Sequence, residues 1–345
     1  MILVVGATGT VGRRVVDNLL AIEGVQVRTL ARGKSDWEGS LLPGFRRRGV
    51  DVMVGDMRSE KAVERAVKDC KCIINCAGVM RGTTEDDVGE VNIDGLQNLV
   101  EQGKDAGVQR FIQLSCLGAT KHATNAYFAS KFEADEIVAG SGMFWTIFRP
   151  SLIFGQDSNL YRILDFWINR SPVIVMVGSG LNRFQPISAD EVAACIAQSV
   201  YDRDTVNKSI DLVGPETLDL YSVLSTVAEH QGRPARTIKI PCFLGVPLFG
   251  LLGKLNPKCP IDNNVMSVMT SDMIGEDEPM LAKFQLQRQK FASSLLQISA
   301  RKTEPAGSAG DEDDEEPVDN SEAESEPEPA PKKAKKPPMN FKRKI

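Results

Sequence analysis

Histidine is nearly missing from these 345 residues; only His122 and His230 occur. With so few, and with no His/Cys group at metal-ligand spacing, a structural zinc site is not expected and no metal ligands are assigned. A Ser-His-Asp triad would have to run through one of those two residues, and nothing else in the chain supports it. Seven cysteines are present without a CxxC pair. The odd count points to free thiols in a reducing compartment. Long hydrophobic runs are also missing. The longest, Pro241 to Gly253, falls short of the roughly 20 residues a membrane span requires. The sequence therefore predicts a soluble protein, at most peripheral to a membrane. Cytoplasm, mitochondrial matrix and plastid stroma fit equally. No signal peptide is expected ahead of a strand that starts at residue 2.

What is present is concentrated at the start, in MILVVGATGTVGRR. An apolar run, Ile2 to Val5, reads as a buried strand. It passes into Gly6, Gly9 and Gly12, and a helical pattern follows over Val11 to Leu20. Strand, glycine turn and helix form the context of a dinucleotide-binding turn. Gly6 permits the tight turn, Gly9 lets backbone approach a pyrophosphate, and Gly12 lets the helix pack close. Phosphates would sit on the helix N-terminus, which places Thr8, Thr10 and Val11 around the cofactor. The spacing is G-x-x-G-x-x-G.

Further strands are predicted at Val25–Leu30, Val50–Val54, Cys72–Cys76, Arg110–Leu114 and Trp145–Phe148, alternating with helices. That alternation implies βαβ units and a doubly wound parallel sheet of the Rossmann type. The second strand ends in Ala31-Arg32, where NAD binders usually place an acid for the ribose hydroxyl. An arginine suits a 2′-phosphate, so NADP is expected ahead of NAD, with Arg32 as the main contact and Arg13 as a helper. Asp56 follows the third strand and is placed to touch the adenine, with Met57 beside it. Ala77 and Gly78 follow the fourth, and Pro150 the sixth. All are expected at the cofactor.

Tyr127 and Lys131 stand four apart in YFASK, on one face of a helix. Ser115 ends the preceding strand, and Asn92 lies in VNIDG. A free phenol titrates near 10; a neighbouring ammonium favours the phenolate. This set would make Tyr127 a proton donor or acceptor, with Ser115 holding the substrate oxygen and Lys131 assisting the tyrosine and touching the nicotinamide ribose.

These residues give the chain its resemblance. GATGTVG (Gly6 to Gly12), GD (Gly55-Asp56), NCAG (Asn75 to Gly78), VNIDGLQNLV, YFASK, FRPSLIFG (Phe148 to Gly155) and FQPISADEVA (Phe184 to Ala193) resemble atypical short-chain dehydrogenases of the NmrA-like branch. FRPSLIFG, the DEVA block, VGPETL and the late apolar segment look most like the subgroup related to the complex I 39-kilodalton accessory subunit. The resemblance covers residues 1 to about 275 and implies a Rossmann domain binding NADPH. In that subgroup the cofactor can be structural. Other relatives serve in quinone biosynthesis or reduce the vinyl group of a chlorophyll precursor, the latter without a YxxxK.

The expected organisation is an NAD(P)-binding domain over 1–275, with its Rossmann core about 1–155 and a small substrate lobe about 156–275. A C-terminal helix over 276–301 and a disordered tail over 302–345 would follow. The apolar stretch Ile238–Leu255 reads as a short amphipathic helix with its entry loop. It could pack in the core, wall a greasy substrate, or face a membrane. The tail carries twelve acids and then most of its eight bases, a composition that cannot bury a core. It is either merely solvated or an interaction tail. Two functions follow. One is an NADPH-dependent oxidoreductase on an apolar, quinone-like or isoprenoid-like substrate. The other is a non-catalytic accessory or assembly protein of a larger redox complex, contacting a partner or membrane through 241–253 and the basic C-terminus. No nucleic-acid partner is expected.

Overall fold

The strands alternate inward-facing residues toward both faces of one sheet. In β1 (Ile2–Val5) Ile2 and Val4 enter one core while Leu3 and Val5 enter the other, all buried. This is the pattern of a parallel strand covered on both sides. In the computed structural model the described residues are 1–33, 36–80, 88–155, 157–170, 173–233, 236–255 and 261–295. The tail from 302 and its basic terminus lie outside them.

In chain order the first half contains α1 (Thr10–Leu20), β2 (Val27–Ala31), α2 (Asp36–Arg47), β3 (Asp51–Val54), α3 (Glu60–Val67) and β4 (Cys72–Asn75). A π-helical turn, Glu90–Asp94, then leads into α4 (Gly95–Asp105), β5 (Arg110–Leu114), α5 (Ala126–Ala139) and β6 (Phe144–Pro150). The second half contains β7 (Ile153–Phe154), α6 (Asn159–Arg170), β8 (Ile174–Val177), β9 (Arg183–Phe184), β10 (Ile187–Ser188), α7 (Ala189–Ser199), β11 (Lys208–Leu212), β12 (Leu218–Asp219) and α8 (Leu220–His230). It ends with β13 (Thr237–Ile240), α9 (Cys242–Leu255), α10 (Asn263–Met269) and α11 (Glu278–Leu281).

Seven strands form the parallel sheet in the order β11-β6-β5-β4-β1-β2-β3. The order reverses beside β1, between β2 and β4. In doubly wound sheets ligands sit outside the strand C-termini at that point. α1 and α7 cover one face through Val15, Leu19, Val192 and Ile196. α3, α4 and α5 cover the other through Val63, Leu99 and Ala134. Each of the valines, leucines and isoleucine among them contributes about 1.5–3 kcal/mol on full burial. A third core, with Leu164, Met176, Phe184, Leu224 and Met266, binds α6, α8 and α10 and the parallel pair β8–β13 into a lobe beyond the strand ends.

The segment 276–301 is not the single helix the sequence predicts. Among its described residues, α11 is four residues long, 284–290 has no regular structure, and a short turn of helix resumes at 291. The reason is that its apolar residues serve two cores. Met280 and Phe284 belong to the sheet's α1/α7 side, Phe291 and Leu295 to the lobe. Crossing between them needs extended chain.

Candidate functional site

The turn after β1 depends on its glycines. Gly6 has φ +76°, a left-handed conformation, and a Cβ there would sit 2.6 Å from the Ala77 amide nitrogen. Gly9 N–H donates to the Gly6 carbonyl at 3.0 Å and closes the turn. A Cβ on Gly12 would lie 2.1 Å from that same carbonyl oxygen, so α1 can start this close only with glycine there. Gly9 is the N-cap of α1 and provides no side-chain cap. The first turn of a helix so built favours an anion.

Two cavities meet at this turn. One of about 170 Å³ is lined by Gly6, Thr8, Arg32, Asp56, Met57, Ala77 and Gly78. The other, about 250 Å³, is lined by Thr10, Val11, Ser115, Tyr127, Lys131 and Pro150. Gly9, Cys76 and Gly78 line both. A Cβ on Gly78 would meet Lys131 Nζ at 2.7 Å, so this bare backbone is part of the channel. Such a cradle fits an extended dinucleotide.

In the smaller cavity Asp56 is clasped by Arg58, with Nε at 3.0 Å from Oδ1 and Nη2 at 2.6 Å from Oδ2. Burial works against its charge, but the hydrogen bonds and charge of Arg58, with Arg32 nearby, hold its carboxyl below the ordinary value. The sequence reading missed Arg58. Arg13, expected as a helper to Arg32, lines neither cavity and pairs with Asp157, on the loop after β7. Arg14 joins the same loop at 3.3 Å and reaches Asp190 at 2.8 Å.

Tyr127, Lys131 and Asp135 follow one another at intervals of four along α5, whose N-cap Asn125 accepts from Phe128 N–H at 2.7 Å. Lys131 Nζ donates to the Leu114 carbonyl at 3.1 Å. Ser115 Oγ donates to Asp135 Oδ2 at 2.8 Å. The Cys116 thiol is close enough to the Tyr127 hydroxyl for the two to perturb one another's titration. Burial pushes the Tyr127 phenol well above 10, helped by Cys116 and Asp135, and pushes the Cys116 and Cys76 thiols up to about 12. Burial lowers Lys131. The expected lowering of the tyrosine by the lysine is therefore not the arrangement found, because the ammonium is turned to a backbone carbonyl. Cys116 and Asp135 were not foreseen, although Asp135 shares the four-residue spacing of its neighbours.

Asn92 does not line either cavity. Its amide clamps Val79 in both directions, accepting from N–H and donating to C=O at 2.9 Å, and donates to Ser130 Oγ at 3.0 Å. It fixes the loop after β4 against α5. Gly12 is likewise a packing position outside both linings.

The far wall of the larger cavity is apolar: Leu160 and Ile163 of α6, Val268 and Met269 of α10, and Met273. The sequence had assigned a wall to the segment containing α9. Among the described residues that segment contributes none to the lining; α9 instead carries exposed Phe243 and Leu248. Among the described residues no helix is long and apolar enough to cross a membrane. The six described cysteines are free thiols.

A parallel sheet in this order, with a glycine turn at its switch point and two cavities meeting there, defines a dinucleotide-binding fold of the Rossmann type. The chain belongs to the NAD(P)H-binding family, which it matches over residues 6–203. It is 26% identical over 240 residues to subunit 9 of the NADH dehydrogenase [ubiquinone] 1 alpha subcomplex from Arabidopsis thaliana mitochondria, covering 69% of this chain and 60% of that one. The chain thus spans less than two thirds of that relative's length. It is 28% identical over 243 residues to a ceramide reductase from Caulobacter vibrioides, covering 70% of this chain and 74% of the relative. Among solved structures, an NADPH-dependent quinone oxidoreductase from Escherichia coli, complexed with NADPH, superposes with a TM-score of 0.68 at 16% identity. The match covers 87% of this chain and 100% of that one, and at such identity it speaks for the fold alone.

Proposed function

We propose that this protein is an NADPH-dependent oxidoreductase acting on an apolar carbonyl or quinone-like substrate. One observation carries the reading: the channel from the glycine turn reaches Tyr127 and then opens onto a wall of Leu160, Ile163, Val268, Met269 and Met273. Arg32, lining the opposite cavity where NAD binders place an acid, supports NADPH over NADH. Bound NADPH supplies a hydride to the substrate carbon. Tyr127 supplies the proton to its oxygen. A phenol whose pKa burial has raised stays protonated at neutral pH, which suits a donor in the reducing direction. Ser115 positions the substrate oxygen, and Lys131 secures the ribose side of the channel beside Gly78. The ceramide reductase among the similar proteins agrees with a lipophilic substrate.

A second reading is favoured by a specific observation. Ser115 donates its hydroxyl to Asp135, so the group expected to hold a substrate oxygen is tied into the protein. Together with the complex I relatives, this supports a cofactor-binding accessory protein of a redox complex. The test is NADPH oxidation against quinones, apolar ketones and nucleotide sugars, with native mass spectrometry of the purified protein. Tyr127→Phe keeps the ring and should retain NADPH while turnover falls about 10²–10⁴-fold. Equal activity in both proteins removes Tyr127 from the mechanism. No turnover on any substrate, with NADPH that copurifies and resists exchange, establishes the accessory reading instead.

A further inference from the structure

α9 is built inside out. Its buried side holds Gly245 and Gly250, where a Cβ would lie 2.6 Å from Val177 and 2.0 Å from Asn263 Oδ1, together with buried Phe249. Four other large apolar residues point the other way. Phe243 is 75% exposed, Leu244 and Leu251 55%, and Leu248 48%. At 100° per residue these four and Pro247 fall within less than half of the helix circumference. The glycines fix which side faces in, because no bulkier residue fits against β8 and α10. β13, leading into α9, adds exposed Ile238 and Lys239.

Along the sequence, the charge flanking this ridge is of one sign. From 231 to 261 the sequence has Arg233, Arg236, Lys239, Lys254 and Lys258 and no acid. The nearest acids in sequence are Glu229 and Asp262, and Asp262 caps α10 by accepting from Val265 N–H at 2.9 Å. A helix of fourteen residues is about 21 Å long and too short to span a bilayer. It has the length and composition of one lying in the interfacial plane, apolar ridge down and bases at the headgroups.

We propose that α9 is a peripheral anchor that inserts Phe243, Leu244, Leu248 and Leu251 into the surface of an anionic lipid membrane. The chain's own tail is a poor occupant. From 302 onward its larger apolar residues are Val318, Met339, Phe341 and Ile345, with no run of four at helical spacing. The local excess of bases selects anionic over neutral headgroups.

The test is cosedimentation of the full chain with vesicles of phosphatidylcholine alone or mixed with phosphatidylglycerol. The expected result is at least tenfold stronger binding to the anionic vesicles, weakened by salt. Leu244→Glu/Leu248→Glu should abolish it while leaving the melting temperature and NADPH binding unchanged; Leu244→Ser/Leu248→Ser is the milder pair should the first fail to fold. Lys239→Ala should weaken binding several-fold. Absence of binding to either vesicle overturns the proposal, as does anionic binding that both pairs leave intact, which would assign it to the basic terminus. A homodimer by size exclusion that the serine pair dissolves would make a second copy of the chain the occupant, and would equally overturn it.

Discussion

Asp135 is the residue whose environment says most about the site. It is buried on α5, its Oδ2 accepts a hydrogen bond from Ser115 Oγ at 2.8 Å, and burial pushes its carboxyl from 3.8 up to about 6. The Ser115 hydrogen bond and the charges of Lys131 and Arg149 pull it down, but less strongly. A folded pKa above the unfolded one means that the folded state binds more protons between about pH 4 and pH 6. This group's contribution is thus fully present below the unfolded pKa and is lost as pH rises through about 6. The loss is worth about 3 kcal/mol. Asp135→Asn keeps an acceptor for Ser115 and removes the titration. Urea unfolding of both proteins across this window should show the variant gaining on the wild type as pH rises, to a few kcal/mol above about pH 7. Parallel pH profiles would refute the assignment. Tyr127 and Lys131 were legible because YxxxK sits after a strand ending in serine. The partners Asp135 and Cys116 were not, because a hydroxyl's choice of acceptor depends on how β5 and α5 pack.

Among the elements, α7 shows how a local signal became a fixed structure. Ser188 was read as its N-cap, and it accepts from Glu191 N–H at 3.1 Å while Glu191 Oε2 accepts from the Ser188 hydroxyl at 2.7 Å and its N–H at 3.2 Å. Both members are buried, so α7 enters the sheet's core already capped. Ser188→Ala removes the cap and leaves the Glu191 carboxylate short of a donor. The cost should lie toward the upper end of the ~0.5–2 kcal/mol for a lost cap, a fall of several degrees in melting temperature. Ser188→Thr should recover most of it. A loss no larger than a few tenths of a kcal/mol would show that the box carries little of α7's stability. Longer segments were less legible. Residues 238–255 and 276–301 are apolar enough for helix or core, but composition does not say which side of α9 faces in or that Phe284 and Phe291 enter different cores. The glycines at 245 and 250 held the first answer, since only close packing requires them.

At the scale of the whole molecule, the sheet order and the glycine turn were readable because βα alternation and right-handed crossovers leave few topologies. The cavity wall was not, since α6 and α10 come from parts of the chain about 100 residues apart and meet only through the lobe core. The two cavities join at Gly9, Cys76 and Gly78, so one extended ligand should bridge β1, β4 and the lobe and stabilise them together. A ligand at about 100 times its Kd adds roughly 2.7 kcal/mol to the folded state. A charge-assisted contact from Arg32 to a 2′-phosphate is worth roughly 1.5–3 kcal/mol, about tenfold or more in affinity. At equal concentration NADPH should therefore raise the melting temperature by a few degrees more than NADH does. Arg32→Ala should close that gap by weakening NADPH alone, because the contacts at Gly6, Gly9 and Gly78 serve both cofactors. Differential scanning fluorimetry of the full chain with each nucleotide reads this directly. Equal shifts in the wild type, or a gap that survives Arg32→Ala, would show that the 2′-phosphate is held elsewhere or not at all.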